Sequence, residues 1–600
     1  MRNAEIAEFL NNIADMLEIK GENPYRVRAY RNAARVIESL TEDIEDIALR
    51  GELDEVPNIG ESIAAKISEY LETGRCEYYE QLKSEINPGI ARLLEVPGVG
   101  PKKAKLFYEA LGIDSVEKLE QAAREHRLSK LPRISQKTEQ NILNAIERLK
   151  ARTGRTPLGI ALPTALEFLE MLRSFPEVKR ADLAGSLRRM RETIGDLDLL
   201  ASSDELEKVM DRFVNLPMVK EVLAKGPTKS SVVTTDNLQI DLRVIKPHEY
   251  GAALQYFTGS KAHNIHLRTI AESQGLKMNE YGIFRISDGK RIAGETEESM
   301  YETLGMDWMP PEIREDMGEI EAALEHRLPH LIEESDLKGD LHVHTDWSDG
   351  HNTLEEMVKS ARERGFEYLV ISDHSVSMGF IHGLSLDRIS EQRTLIDELN
   401  RKYPDIHILQ GIEVNIRADG SLDYDDDVLA QFDVVTASVH SGMGQSRRVI
   451  TERVIKAISN PNVDILGHPT GRILGKRDPY DLDLEAVFRV AAENGTAMEI
   501  NSMPDRLDLK DTDARMAKEM GVMLAINSDA HSTDQLHAVL KYGVATARRG
   551  WAEPQNVLNA LPLNKLLEWL KTKRKKRPQK VIQTSVLPLK NENFCQPEGF

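Results

Sequence analysis

Asp340-Leu341-His342-Val343-His344 reads as a strand whose alternation sets two imidazoles on one face. Asp349 follows within Asp346-Trp347-Ser348-Asp349-Gly350. Onward from there, apolar runs of four to six residues alternate with helical stretches such as 353–365 and 386–400. Tyr368-Leu369-Val370-Ile371 leads to Ser372-Asp373-His374, Leu409-Gln410-Gly411-Ile412 to Glu413, and Val434-Val435-Thr436-Ala437-Ser438-Val439 to His440. Ile465-Leu466-Gly467 leads to His468, Ala497-Met498-Glu499-Ile500-Asn501 is a sixth strand, and Leu524-Ala525-Ile526-Asn527 runs into Asp529 and His531. Six of these seven strands deliver a polar ligand at or near the C-terminal end, as a parallel α/β barrel does, with its site at that rim. One His on a strand is ordinarily a packed core residue. Six of them with Asp349, Glu413 and Asp529 at equivalent strand ends are a metal-ligand set that suits Mn²⁺, Zn²⁺ or Fe²⁺, and the lack of Cys disfavours purely structural zinc.

Upstream, Gly185-Ser186-Leu187-Arg188-Arg189 precedes Gly195-Asp196-Leu197-Asp198-Leu199-Leu200. Strand alternation puts Asp196 and Asp198 on one face and the leucines on the other. Leu238-Gln239-Ile240-Asp241-Leu242-Arg243-Val244 repeats the pattern with Asp241 on the polar face. Three carboxylates gathered by adjacent strands repel unless cations neutralise them; two Mg²⁺ ions about 4 Å apart serve in-line phosphoryl transfer at such a cluster. Gly185, Ser186 and Arg189 are candidates to hold a triphosphate.

The first 150 residues read as short helices, with Ile6, Ala7, Leu10, Ile13 and Leu17 at helical spacing. Val56-Pro57-Asn58-Ile59-Gly60-Glu61-Ser62 and Val96-Pro97-Gly98-Val99-Gly100-Pro101-Lys102 have one layout: a tight turn of small residues leads into a helix. Amides at such a turn point outward and favour a phosphate. Gly98 and Gly100 permit φ > 0 and close approach, and Asn58 tolerates the left-handed region. The segments resemble helix-hairpin-helix motifs, which hold the DNA backbone without reading sequence. The plain alternative is a helix-loop-helix used for packing. A third copy, Leu131-Pro132-Arg133-Ile134-Ser135, lacks both glycines and is not expected to grip phosphate.

The middle of the chain resembles the nucleotidyltransferases of the family X DNA polymerases. Tyr256-Phe257-Thr258-Gly259-Ser260 with Asn264 and Arg268 is similar to that family's nucleotide pocket, and Asn279-Glu280-Tyr281 follows as expected. The resemblance implies catalytic Asp196, Asp198 and Asp241, with Gly185, Ser186, Arg189, Gly195 and Gly259 around the nucleotide. It sets Tyr256 and Phe257 at the incoming sugar, Asn264 at the base edge, Arg268 at the template, and Arg243 in the network that closes the fingers. Lys261 departs from an acidic residue of some relatives. Asn23-Pro24-Tyr25-Arg26-Val27-Arg28-Ala29-Tyr30-Arg31 resembles the start of the family's 5′-phosphate domain, so Arg26 and Tyr30 join Asn58, Gly60, Gly98, Gly100 and Lys102 as DNA contacts. Lys66 stands where lyase-competent relatives keep a Schiff-base lysine, although Ser62 and Arg26 replace other lysines of theirs. The last third is similar to the polymerase and histidinol phosphatase (PHP) domain. That resemblance implies Glu413 bridging two metals, with His342, His344 and Asp529 completing one site, Asp349, His374 and His531 a second, and His440 and His468 a third. Asp373 is an outer-group candidate.

The expected fold is therefore multidomain α and α/β: a helical helix-hairpin-helix N-terminal region, a nucleotidyltransferase palm with a mixed sheet, and a C-terminal distorted (β/α)7 PHP barrel. The expected boundaries are a 5′-phosphate domain over 1–85, a fingers-type domain over 86–150, a palm over 151–247 and a nucleotide-selecting subdomain over 248–315. An acidic, helical linker over 316–336 leads to the barrel over 337–570, and a basic, disordered tail follows over 571–600. The expected activity is gap-filling DNA synthesis in repair with Mg²⁺ or Mn²⁺. A 3′–5′ exonuclease of the barrel, with up to three Mn²⁺ or Zn²⁺, goes with it, and cleavage at abasic sites is a further possibility. Partners are gapped or nicked DNA and deoxynucleoside triphosphates, with no membrane, and the chain is expected to be a cytoplasmic monomer. Two rivals are a small-ester phosphatase with a degenerate polymerase half and a non-catalytic DNA-end scaffold.

Composition sets limits on this reading. The 600 residues hold only Cys76 and Cys595, which excludes a disulfide framework. Mean hydropathy is −0.41, and no run of 18 apolar residues appears. The formal charge of −20 speaks against a nucleic-acid partner if taken alone. Much of that charge, however, falls in the connector and the barrel, leaving residues 1–300 near neutral and able to carry a basic groove.

Overall fold

The computed structural model describes residues 3–575 except 39–43, 74, 86–87, 95, 97, 133, 153–154 and 377–381. The N-terminal region is helical, from Asn3–Lys20 to Gln136–Arg152, around one apolar core that includes Ile6, Leu10, Ile13, Leu17 and Phe107. The region is helical as expected, although Asn3–Lys20 and Gln136–Arg152, at 18 and 17 residues, are not short.

A five-stranded sheet follows. Its order is Arg180–Leu183, Leu197–Ser202, Gln239–Ile245, Lys229–Thr234, Val219–Lys225. The pairing of Leu197–Ser202 with Gln239–Ile245 is parallel and the others are antiparallel, so the sheet is mixed. Leu197 and Leu199 are buried, as alternation requires. Helices Tyr250–Thr258 and Lys261–Ser273 and a three-stranded antiparallel sheet form the next unit, cored by Leu267, Ile283, Met300 and Tyr301.

The last unit is a barrel of seven parallel strands in sequence order: Gly339–Val343, Tyr368–Ile371, His407–Asn415, Val434–Ser438, Ile465–Leu466, Ala497–Asn501 and Leu524–Asn527. A parallel bridge between Val343 and Ala530 brings the last strand beside the first. Both strand faces are buried. Leu341, Val370, Leu409 and Val434 point to an inner core that Leu566 and Leu570 close from the helix Leu563–Lys575. Val343, Leu369 and Ile371 face the outer helices.

Two expectations change. The acidic connector, expected to be helical, is α-helical only at Glu319–Leu324, and that helix packs on the preceding unit. Glu319 is buried against His263 at 2.7 Å, and Ile320 and Ala323 join the core of the preceding unit. The basic tail is not wholly disordered: residues 571–575 continue a helix, and Lys573 is buried 3.3 Å from Asp464. Leu566 and Leu570 carry that helix onto the barrel, and one turn later Lys573 meets a buried carboxylate. The rest of the tail, with Cys595, lies outside the described residues.

Candidate metal centres

In the palm, parallel register sets Asp198 directly opposite Asp241, and Asp196 stands just before the strand. One oxygen from each lies within 4.8 Å of the others. Burial, then Asp196 and Asp241, push the Asp198 carboxyl up to about 7, as crowded carboxylates without cations must. Asp241 is ion-paired with Lys229 and accepts from Gln239 Nε2 at 3.0 Å. Lys229 was not among the expected residues, since nothing in its own segment, a Lys beginning an edge hairpin, marks it.

Gly185 has φ +59, and a Cβ there would lie 2.0 Å from Asp198 Oδ2, so this turn can close on the carboxylate only with glycine. Ser186 lies on the same turn, and Gly195 precedes Asp196, where a Cβ added at the glycine would lie 3.5 Å from Arg155 Nη1. Arg189 is placed differently from expectation. Its guanidinium is committed to Glu315 (3.1 Å) and to the Thr258 carbonyl, so it braces the pocket wall instead of facing a triphosphate. Gly259, at φ +72, would bring a Cβ to 3.1 Å from Arg189 Nη1.

Tyr256 and Phe257 are half-buried and meet edge to face with centroids 5.1 Å apart, and Arg243 lies over Phe257 at 4.3 Å. Asn264 donates to the Tyr256 carbonyl at 2.7 Å and accepts from Gln255 at 2.8 Å. One turn on, Arg268 donates to the Asn264 carbonyl at 3.2 Å.

The barrel rim gathers all nine expected donors. Glu413 lies beneath five imidazoles: His374 at 3.0 Å, His468 at 3.1 Å, His440 at 3.3 Å, His342 at 3.5 Å and His344 at 3.7 Å. Ligand atoms cluster as His342, His344 and Asp529; as His344, Asp349, His374 and His531; and as His374, Glu413 and His440. His440 and His468 both face Glu413 Oε1, at 3.3 and 3.1 Å, while His374 meets Oε2, so the two histidines expected to share a site stand on one oxygen. Nε2 of His342 and both ring nitrogens of His344 are buried with no hydrogen-bond partner. Buried polar atoms in proteins are mostly paired, so these orphaned lone pairs, converging with three carboxylates, fit divalent cations. Burial, then His531 and His374, hold His344 down at about 4, keeping the ring neutral and able to ligate.

Glu499 was missed at this centre. It sits on the strand that brings no ligand, accepts from the His468 amide at 2.6 Å, and pairs with His342 Nδ1 at 2.7 Å, which aims His342 Nε2 at the cluster. Asp373 accepts from Thr345, Ser348 and Gln392, and Ser348 in turn donates to Asp349 at 3.2 Å. Asp373 thus fixes the loop that presents Asp349.

In the helical region the two hairpin turns carry the same bonds. Ile59 donates to the Val56 carbonyl and Ile63 and Ala64 to Gly60; Val99 donates to Val96 and Lys103 and Ala104 to Gly100. Asn58 (φ +65) and Gly98 (φ +86) are left-handed, whereas Gly100 is extended and serves as helix cap. A Cβ at Gly60 or Gly100 would meet no protein atom within 4 Å, so intramolecular packing does not require glycine there. In the third copy the Ser135 hydroxyl accepts from the Thr138 amide, removing a donor that a phosphate would need. Lys102 is exposed. Arg26 lies 5.6 Å from the Tyr78 ring, but Tyr30 is 3% exposed: its ring is core and does not face DNA. Lys66 donates to Ser62 and sits 4.8 Å from the Tyr78 ring, with its pKa lowered first by burial and also by Arg26.

Known proteins share this layout. Over 573 residues, 95% of this chain and the full length of the relative, the sequence is 38% identical to the DNA polymerase/3′-5′ exonuclease PolX of Bacillus subtilis (strain 168). The chain belongs to the family X DNA polymerases with a PHP domain. Family models match this polymerase at a helix-hairpin-helix domain over residues 1–76 and at a SAM-like helix-hairpin-helix tandem over 90–148. They also match it at the DNA polymerase beta thumb over 253–315 and at the PHP domain over 340–503. The PHP half of the polymerase is 32% identical over 250 residues, 40% of the chain, to 96% of a probable phosphatase of Thermoanaerobacter sp. (strain X514). A probable phosphatase of Caldanaerobacter subterraneus is 34% identical over 205 residues, 32% of the chain and 75% of that protein. No helix among the described residues is long and apolar enough to cross a membrane.

Proposed function

We propose that this family X polymerase extends DNA 3′ ends into short gaps and removes 3′ nucleotides at the PHP barrel. The observation that carries the reading is the pairing, on one chain, of two separate carboxylate centres built for cations. One of them stands beside an aromatic and amide pocket. At both centres, bound divalent ions, Mg²⁺ in the palm and Mn²⁺ or Zn²⁺ in the barrel, would supply phosphoryl charge neutralisation and activation of the nucleophile.

The chain's own residues do the rest. Asp196, Asp198 and Asp241 converge on one point, and Lys229 holds Asp241 ionised and oriented. Gly185 lets backbone amides approach that point, and Tyr256, Phe257, Asn264 and Arg268 line the path of sugar, base and template. In the barrel, Glu499 and Asp373 orient ligands, and Glu413 is shared among them. The two hairpin turns grip the DNA backbone. The reading is completed by a cytoplasmic monomer working on gapped or nicked DNA with deoxynucleoside triphosphates in base excision repair.

A labelled one-nucleotide gap substrate tests this, with and without dNTP, in Mg²⁺ and in Mn²⁺. Asp241→Ala abolishes extension and leaves degradation, and His344→Ala does the reverse. Loss of both activities in either variant refutes independent sites. Turnover of a small phosphate ester without attack on a DNA 3′ end favours a phosphatase instead.

A further inference from the structure

The strand Ala497–Asn501 supplies no member of the donor cluster at its end, and the loop after it occupies a distinctive place. On one side this loop lies against the palm. Leu507 is fully buried within the palm's apolar core, Met503 packs on that core, and a Cβ on Gly159 would come within 2.4 Å of Pro504 Cβ. On the other side it carries Arg506 to the metal centre. Arg506 Nε is 4.0 Å from Asp529 Oδ2, beyond hydrogen-bond reach, and that oxygen already accepts from Asn501 Nδ2 at 2.9 Å.

Among the described residues the Arg506 guanidinium donates no hydrogen bond, and its side chain is 24% exposed. A fork of five N–H donors is thus held, largely desolvated, at the edge of a cluster built for phosphate esters. Arg477, fixed by a 2.7 Å bond to the Gly471 carbonyl, is close enough that Arg506's charge, after burial, lowers its pKa. Two like charges near one another repel, so Arg506 gains from an anion to pair with.

We propose that Arg506 grips the phosphate of the DNA 3′ end, taking its non-bridging oxygens on the side of the barrel rim that faces the palm. This rests on the reading of the barrel as a 3′–5′ exonuclease. The planar fork matches two phosphate oxygens at once, which a lysine ammonium does not. The palm is then a wall of the degrading site, because it holds the loop that aims Arg506.

The test uses the full chain loaded with Mn²⁺ and the variants Arg506→Ala and Arg506→Lys. Inorganic phosphate affinity, bound manganese, and KM and kcat on a labelled single-stranded oligonucleotide are measured. Arg506→Ala binds phosphate about tenfold more weakly or worse and raises KM by a similar factor, with manganese content and gap filling unchanged. Arg506→Lys keeps charge without the fork and falls between. Unaltered phosphate affinity in Arg506→Ala overturns the proposal. So does a loss of manganese that parallels the loss of phosphate, since Arg506 would then serve Asp529. Should the alanine variant not fold, wild-type affinity in the lysine variant overturns the two-oxygen grip. If the unmodified enzyme degrades no 3′ end, the exonuclease reading fails, while phosphate affinity still decides the role of Arg506.

Discussion

Arg549, at the end of the barrel helix Leu540–Arg549, donates from Nη1 to the backbone carbonyl of Arg189 in the palm over 2.7 Å. The same guanidinium reaches Glu315 at 3.1 Å and Asp511 at 2.8 Å, and Glu315 in turn holds Arg189. A half-buried chain of charges therefore joins the barrel to the wall of the proposed nucleotide pocket. Nearby, Arg472, four residues after His468, pairs with Glu192 of the palm at 2.8 Å.

Arg549→Ala takes one of three guanidiniums from Glu315, which keeps Arg189 and Arg191, and takes Arg549 from the half-buried Asp511. Losing charge-assisted hydrogen bonds in a half-buried network costs about 1.5–3 kcal/mol. The variant melts at lower temperature, and because Glu315 loosens its hold on Arg189, the KM for dNTP rises more than kcat falls. Steady-state gap filling and thermal melting check both. An unchanged KM for dNTP would show that the contact is structural only.

Glu297 connects the same pocket to a second buried pair. It accepts from Arg188 and Arg314 at 2.7 Å each, and Arg188 also donates to Thr258. Burial opposes the charge on Glu297, but Arg314 and Arg188 outweigh it and hold the carboxyl at about 2. A carboxylate depressed in the folded state stabilises the fold fully above its ordinary range and loses that contribution as pH falls through its folded value. On the order of 3 kcal/mol is therefore present at neutral pH and lost between about pH 4.5 and 2. The melting difference between wild type and Glu297→Gln is expected to be large at neutral pH and to close across that window. A difference independent of pH would contradict the assignment.

Which parts were readable from sequence follows from how each is encoded. Most barrel donors lie at or near the C-terminal ends of successive strands, with Asp349 in the loop after the first, and the palm carboxylates alternate with apolar residues at a two-residue period on or beside two strands, so local pattern reveals them. Glu499 follows that period too, but its function comes from facing His342 across the barrel, 157 positions away. Lys229, Arg549 and the partners of Glu319 likewise depend on chain separations that no period marks. Acidic composition made 316–336 look like a helical linker, and gave no sign that His263 and two backbone amides satisfy Glu319 in the interior. Tyr30 belongs to a motif, and motif position does not tell a core ring from a DNA-facing one.

Lys66 has the environment of a nucleophilic amine. Burial and Arg26 favour its neutral form, and Ser62 and the Tyr78 ring hold it in place. Borohydride is expected to trap the enzyme on a 5′-deoxyribose-phosphate end, and Lys66→Ala to abolish the adduct while retaining gap filling. Trapping that survives in Lys66→Ala would assign the adduct to another amine.

Gly159 offers the cleanest separation of the two halves' activities. It lies in the first turn of the palm helix Leu158–Ser174, where alanine has the better helix propensity by about 1 kcal/mol. Against that, a Cβ at this position would come within 2.4 Å of Pro504 Cβ and 3.0 Å of its Cγ. A proline ring cannot rotate away, and the loop is pinned on both sides: Leu474 donates to the Asp505 carbonyl and Arg472 to that of Leu507. The clash wins, at about 1–3 kcal/mol for an overpacked site, and the loop bearing Arg506 shifts. Gly159→Ala therefore weakens degradation of 3′ ends, chiefly through KM, while extension, whose carboxylates lie on other elements, proceeds at the wild-type rate. Pairing it with Pro504→Gly removes the opposing ring and restores degradation, a coupling that a double-mutant cycle measures. Equal loss of both activities in Gly159→Ala would instead point to general damage to the palm.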